Sequence, residues 1–258
     1  MANLVLGYDD RVRPGTITGT SALATLPVVN LQTQRLGQLW RGGPGVTTAS
    51  LLVDFGASRT IGAVLLAGTN LSTVATWRIR LSTVDATGNA GDVLDTGTGP
   101  AGVDTRFRLA LLVLPTDATG RYLKVDLSDA SLPWLEAGRL AALKLWRPRR
   151  NFAFGMSRGR IDLGKTSKGE AGDLFALRGS QQRVFTMTLQ AVYRDELLAD
   201  AEDLLRTAGK HDDILLCLDP NSTNPGFDSI WGTMAELPAW EWVAHPIHKG
   251  ALRVEERV

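Results

Sequence analysis

Two apolar runs, Leu51–Phe55 and Ile61–Leu66, flank the polar stretch Gly56-Ala57-Ser58-Arg59. Each run has the length of a strand and is too short for a helix, and valine, isoleucine and phenylalanine suit a pleated, buried surface. The pattern predicts the central hairpin of a β-sandwich. Upstream, Asn3–Tyr8 reads as a short first strand, followed by turn chemistry at Asp9-Asp10 and Pro14-Gly15. Residues 16–50 are rich in Thr, Ser and Gly, with one apolar island at Leu26–Val29, and predict an irregular entry segment. Downstream, Trp77, Ile79 and Leu81 alternate with Arg78 and Arg80 across Thr76–Ser82, the signature of a half-buried strand. Residues 83–104 form a long loop. Arg106–Leu114 and Tyr122–Leu127 are two further strands, and Leu140–Trp146 closes the set. About eight strands and no helix through Trp146 describe a two-sheet sandwich or jelly roll.

Arg147-Pro148-Arg149-Arg150 marks a boundary, because proline stops the strand and the charges keep the link exposed. The predicted domains are residues 1–147 and 148–258. In the second, Arg160–Leu163 and Asp173–Leu177 are short strands across a glycine-punctuated turn. Gln182–Tyr193 alternates, with Val184, Thr186, Thr188 and Gln190 on one side and Phe185, Met187, Leu189 and Ala191 on the other. One helix is predicted over Asp195–Ala208, where Leu197, Leu198, Ala201, Leu204, Leu205 and Ala208 recur at helical spacing; Asp195 can cap its start and Gly209 can end it. Ile214–Leu218, Ile230–Met234, Trp240–Ala244 and Leu252–Glu256 supply further strands. The fold class is therefore mainly β: an N-terminal β-sandwich and a C-terminal β-rich α+β domain with one helix.

Composition changes this picture little. The 258 residues are 44% hydrophobic and 21% charged, ordinary for a globular protein. No apolar run approaches the ~20 residues of a membrane helix, so no membrane insertion is expected, and the N-terminus lacks the basic and apolar regions of a signal peptide. The single cysteine, Cys217, sits in the apolar run Ile214–Leu218 and suits a buried, inert thiol in a chain folded in a reducing cytoplasm. Charge changes the picture more. Residues 139–183 carry 11 basic and 3 acidic side chains, net +8, whereas residues 184–258 carry 6 basic and 13 acidic, net −7. As two solvated faces these segments need no partner. As a nucleic-acid patch the basic segment lacks aromatic interleaving, so no specific nucleic-acid binding is expected. As complementary surfaces they suit head-to-tail contact between copies.

The catalytic motifs are weak. Gly159–Thr166 matches GxxxxGK[ST], but a phosphate loop needs a buried strand entering and a helix leaving, and Ser167-Lys168-Gly169-Glu170 starts a helix poorly. His211, His245 and His248 read as surface or loop residues, since Pro246 breaks the spacing of the last two and no zinc-ligand set completes them. The acidic pairs Asp9-Asp10 and Asp212-Asp213 sit at turns. Asn70-Leu71-Ser72 and Asn221-Ser222-Thr223 match glycosylation acceptors, but such short patterns recur by chance and nothing indicates secretion. No catalytic, cofactor or metal residues emerge, and the chain is expected not to be an enzyme. Seven tryptophans are many for this length. Trp40, Trp77 and Trp134 are candidates for a sugar-stacking face; the alternative is core or interface packing.

Two resemblances add to this reading. Trp40-Arg41, Leu51–Gly56, Ile61–Leu66, Trp77–Ser82, Tyr122–Leu127 and Leu140–Trp146, spread over about residues 3–147, resemble the galactose-binding-like (discoidin-type) jelly roll. That likeness implies a fold and leaves the ligand open: such modules bind sugars, lipids or proteins, or act as scaffolds. Gly172–Arg178, Arg183–Leu189, the helix, Leu218-Asp219-Pro220, Ile230-Trp231-Gly232 and Arg253-Val254-Glu255-Glu256 resemble the ring-forming belt domain of distal tail and baseplate proteins of long-tailed bacteriophages. Carrying the galactose-binding-like unit first, not last, departs from many members of that family. The resemblance implies a virion protein of the tail tip, assembled in the host bacterial cytoplasm. It would form a homo-oligomeric ring, a hexamer in the usual case and a trimer in the alternative, joining tail tube to baseplate hub. Arg158, Arg160 and Arg183 are the expected ring contacts. The alternative function is a carbohydrate-binding module that touches a host glycan.

Overall fold

Leu51–Phe55 and Ile61–Leu66 do not face each other across a turn. In the computed structural model, which describes residues 3–170 and 172–258, they are two halves of one strand. The chain divides into two units, Met1–Arg147 with Cys217–Ser229, and Pro148–Leu216 with Ile230–Val258. The strands of the first unit run, in chain order, β1 (Val5–Tyr8), β2 (Thr16–Gly19), β3 (Trp40–Arg41), β4 (Thr48–Ala67), β5 (Thr76–Ser82), β6 (Leu94–Asp95), β7 (Gly99–Pro100), β8 (Leu109–Ser128), β9 (Glu136–Ala137) and β10 (Arg139–Trp146). The apolar island at Leu26–Val29 enters a short 3-10 turn, Val28–Gln32.

β4 and β8 pair antiparallel along their whole length, and the register shifts between Asp54 and Arg59. The polar stretch read as a hairpin turn is therefore a bulge, which bends a strand and raises its twist without ending it. Gly56 sits there at φ +76°, and its N–H donates to Asp54 Oδ1 at 2.7 Å. Likewise Arg106–Leu114 and Tyr122–Leu127 are not separate strands; β8 spans both, beginning at Leu109.

The bend gives each long strand two sets of neighbours. The first half of β4 pairs with β2 and with the second half of β8, which also pairs with β5. The second half of β4 pairs with β10, which pairs with β1. Side chains of both sets, including Leu51, Val53, Phe55, Val64, Leu66, Ile79, Leu123 and Leu140, meet in one core. Alternation holds where one face is wet: Ala49, Leu51, Val53 and Phe55 are buried while their neighbours are not. It disappears over residues 61–67, all buried, because both faces of this half are covered.

One ion pair lies inside this unit. Asp10, just after β1, meets Arg139 at the start of β10, and Arg139 is 2% exposed. Asp10 Oδ1 also accepts the N–H groups of Val12 at 2.9 Å and Ala142 at 3.1 Å. Burial pushes the Asp10 carboxyl up; Arg139 and the two N–H donors oppose this.

The second unit holds β11 (Ser157–Asp162), β12 (Lys165–Lys168), β13 (Leu174–Leu177), β14 (Gln181–Tyr193), β16 (Ser229–Met234), β17 (Glu241–Ala244) and β18 (Ile247–Glu256), with β15 (Ile214–Cys217) between β14 and β16 in sequence. Its sheet runs β11-β14-β18-β16, with β17 added on β18. Phe185, Met187 and Leu189 face the core as the alternation predicts. The expected pairing of Arg160–Leu163 with Asp173–Leu177 is not formed. β11 joins β14 instead, and β12 and β13 make a separate two-stranded ribbon.

The helix runs without a break through Arg194–Glu196, a π-helical stretch Leu197–Ala201 and Glu202–Ala208. Tyr193, not Asp195, occupies its N-cap, and no side chain caps it. Gly209 at φ +53° closes it, with its N–H on the Leu205 carbonyl at 3.0 Å. Among the described residues no helix is long and apolar enough to cross a membrane.

Replacing Arg139 with Met is expected to cost about 3–5 kcal/mol, because it leaves the Asp10 carboxylate buried without its countercharge. Denaturant melts check this; a loss below about 1 kcal/mol would show that the pair does not hold β1 to β10.

Candidate functional site

The two-residue strands β3 and β9 place Trp40 opposite Ala137 and Arg41 opposite Glu136. Successive side chains of a strand point to opposite faces. Trp40 is 0% exposed and belongs to the core, as does Ala137. Arg41 and Glu136 take the other face. The same rule applies on β5, where Trp77 is 6% exposed with Ile79 and Leu81 beneath it. Burial thus removes Trp40 and Trp77 from the expected sugar-contact set. Trp134 is half-exposed, and it stands beside Arg41 and Asn70, which the sequence marked for other reasons, and beside Glu136 and Arg108, which it did not mark.

These groups are held closely. Arg41 donates through Nε to Glu136 Oε2 at 2.9 Å and pairs through Nη2 with the same oxygen at 2.7 Å. The Arg41 guanidinium lies 5.0 Å from the Trp134 ring centroid, a cation–π arrangement. Trp134 Nε1 donates to Glu136 Oε2 at 3.3 Å. Asn70 brackets the strand: its Nδ2 donates to the Trp134 carbonyl at 2.8 Å and its Oδ1 accepts the Glu136 N–H at 2.9 Å. Both ends of the Asn70 amide are therefore occupied in structure, whatever its match to a glycosylation pattern. Arg108 completes the edge. Its Nη2 reaches Glu136 Oε1 at 3.3 Å and the Gly68 carbonyl at 3.0 Å, and its Nε donates to the Thr69 carbonyl at 3.1 Å.

The result is a half-exposed indole set in a rigid frame of two guanidiniums, a carboxylate and an amide. The sequence marked Arg41 only as part of the Trp40-Arg41 pair that carries the fold resemblance, and it did not mark Glu136. Nothing in the sequence marks Arg108.

Two clefts lie elsewhere. One of about 310 Å³ sits in the first unit and is lined by hydroxyls of Thr20 and Ser21, just after β2, and of β4, β5 and β8, with Arg78 and Asp126. It is polar, its only aromatic, Trp77, is buried, and its charges are engaged: Asp126 accepts from Ser50 and Arg80, and Arg78 Nε donates to Asp95 at 2.8 Å. The other, about 520 Å³ in the second unit, lies over β14 and β18 beside Leu237 and Pro238.

The expected ring residues separate. Arg158 and Arg160 are exposed on β11. Arg183 is 7% exposed and gives its guanidinium to Glu256, with Nε at 2.9 Å and Nη2 at 2.6 Å, so it has no free edge for another copy. Exposed apolar side chains also occur in this unit. Leu174, Phe175 and Leu177 on β13 all face solvent.

The remaining candidates stay structural. Gly159–Thr166 runs along β11 into β12, with strand and not helix after the lysine, so it is no phosphate loop. His248 is not at the surface as expected: it is buried on β18, with its ring 4.2 Å from that of Trp242. Among the described residues no group of three His, Cys, Asp or Glu could hold a metal ion. Burial pushes the Cys217 thiol up to about 11, which keeps it protonated and unreactive near neutral pH.

No protein-family model and no curated protein matches the chain. Among solved structures the chain is similar to chitosan-binding module 1 of a chitosanase/glucanase from Paenibacillus sp. IK-5, at 17% identity and a TM-score of 0.40, over 52% of this chain and 98% of that one. It is similar to the family 32 carbohydrate-binding module of NanJ from C. perfringens in complex with galactose, at 11% identity and 0.43, over 54% and 99%. It is also similar to the lectin binding domain of Lectinolysin complexed with Lewis b, at 13% and 0.41, over 53% and 96%. Likeness at these scores carries no argument about a ligand.

Trp40→Ala is expected to cost about 3–5 kcal/mol in a denaturant melt, as removal of a core aromatic does. Trp134→Ala is expected to cost about 1 kcal/mol or less, since it removes a half-exposed ring and one cation–π contact. Equal costs would contradict the assignment of one to the core and the other to the surface.

Proposed function

We propose that this protein is a non-enzymatic binding protein whose first unit grips a glycan at the edge formed by Trp134, Arg41, Glu136, Arg108 and Asn70. The observation that supports it is the indole, half-exposed and flanked by planar hydrogen-bonding groups whose positions are fixed by backbone bonds. A sugar ring offers a patch of C–H groups on one face and hydroxyls around its rim. An aromatic face meets the first, and guanidinium and carboxylate groups meet the second. Preorganisation matters, because ordering long side chains at binding costs about 0.5–1.5 kcal/mol each.

A glycan array on the purified chain tests this. Wild-type protein is expected to bind a restricted set of glycans, and Trp134→Ala is expected to weaken that binding by tenfold or more with its melting temperature nearly unchanged. Binding that survives Trp134→Ala in full would remove the edge from consideration.

A second reading is favoured by the ribbon of β12 and β13. Two-stranded ribbons are marginal alone, and this one exposes Leu174, Phe175 and Leu177 together. It lies within the basic segment 139–183, opposite in charge to 184–258. Both features suit contact between copies, and thus an assembly protein of the tail-tip ring type, found in the virion between tail tube and hub, with the glycan edge turned to the host surface. Light scattering tests it: wild-type chain is expected to self-associate, and Phe175→Ser with Leu177→Ser to shift it to monomer. A wild-type monomer at high micromolar concentration would remove this reading and leave the glycan reading standing.

A further inference from the structure

We propose that the ligand of the Trp134 edge is an acidic glycan, and that Arg108 is the group that reads its anionic substituent. The inference rests on the glycan reading and adds the class of sugar. Arg41 and Arg108 share one carboxylate, Glu136, so two guanidiniums face a single anion. The nearby acid, Asp129, is 2% exposed and its oxygens are taken by the N–H groups of Ser72 and Ser131 and the Ser131 hydroxyl. It is a structural group of the loop.

The two arginines are not equivalent. Arg41 makes the short pair with Glu136 Oε2 and covers the indole. Arg108 makes the long contact, 3.3 Å, to Oε1. Its side chain is half-exposed, and two backbone carbonyls hold it by Nε and Nη2, leaving Nη1 without a protein partner among the described residues. An anion arriving at Arg108 displaces only the long contact, and Glu136 keeps Arg41. Arginine presents a planar fork matched to carboxylate and related oxyanions, and charge-assisted bonds of this kind are about twice as strong as neutral ones.

The backbone adds a second observation. Arg108 lies at φ +53°, a region that glycine and asparagine occupy readily and long side chains do not. Such strain persists where the surroundings enforce it, typically at ligand-binding positions. Here it aims a guanidinium at the edge where asparagine would relieve it.

The test is titration calorimetry of the full chain with three oligosaccharides of one backbone type: neutral galactan, galacturonan and sulfated galactan. The expected result is at least tenfold tighter binding of an anionic oligomer than of the neutral one. That preference should fall as salt rises, since about 0.15 M salt screens exposed charges beyond ~8 Å, and Arg108→Asn should abolish it. Asparagine suits the positive φ, so R108N is expected to melt no lower than wild type; if it does melt lower, R108G, which also suits the positive φ and removes the charge, is expected to abolish the preference in its place. The two anionic arms distinguish a carboxylate from a sulfate as the recognised group. Equal affinity for neutral and anionic oligomers, or a preference that R108N leaves intact, overturns the inference while the glycan reading stands. No binding to any of the three, together with an empty glycan array, overturns both.

Discussion

The pairing of β4 with β8 carries the first unit. Each strand is 20 residues long and each bends, so the same two strands supply hydrogen-bonding partners to both sheets and apolar side chains to both walls of the core. The bend tolerates little. A Cβ at Gly62 would stand 2.5 Å from the Asp117 carboxylate and 2.7 Å from the Leu145 side chain. Asp117 in turn holds Arg147, whose Nη2 also donates to the Leu114 carbonyl at 2.9 Å. The corner of β8 therefore fixes the last residue before the boundary. The opposite end depends on the same pairing. β9 leads through Gly138 into β10, which lies against β4, so the strands that display Arg41 and Glu136 hang from the long pair.

Much of this architecture was legible because one-sided burial writes alternation into a sequence. Trp77, Ile79 and Leu81 against Arg78, and Phe185, Met187 and Leu189 against Thr186 and Thr188, are buried as their pattern predicts, whereas Arg80 is buried too, against Asp126. The mainly β class and the single helical segment followed from such patterns. The bend did not, because glycine and short polar residues serve a hairpin turn and a bulge equally well, and only the partner strand decides between them. The fate of Trp40 was also hidden: a strand of two residues has no periodicity from which to read an inward face. For Arg183, sequence shows a basic side chain and cannot show Glu256 beside it, 73 residues away.

The candidate edge illustrates the same division at the level of chemistry. A tryptophan announces itself in a sequence. The groups that give its surroundings direction, Arg41, Glu136, Asn70 and Arg108, are commonplace residues from four distant segments, and only the antiparallel register of β3 with β9 and the turn after β4 bring them within hydrogen-bonding reach. The second unit offers the reverse case. Its basic and acidic segments were conspicuous, yet part of that charge is spent internally, as between Arg183 and Glu256 and between Arg257 and Asp213. What remains exposed on the ribbon is mixed: apolar Leu174, Phe175 and Leu177 on β13, and Lys165 and Lys168 on β12.

Residues Cys217–Ser229 belong to the first unit although they are flanked on both sides by the second. This excursion is fitted closely. A Cβ at Gly226 would come within 2.5 Å of the Asp104 Cβ, and Phe227 lies 6.4 Å from Phe107, with the Arg106 guanidinium over both rings. The two units are thus threaded through each other along the chain. A fragment ending at Arg147 would lose the cover over Asp104 and Phe107, and recombination at a single point could not exchange the sandwich for another. A unit built from one continuous stretch can be exchanged whole; this one can be altered only residue by residue or together with the second unit.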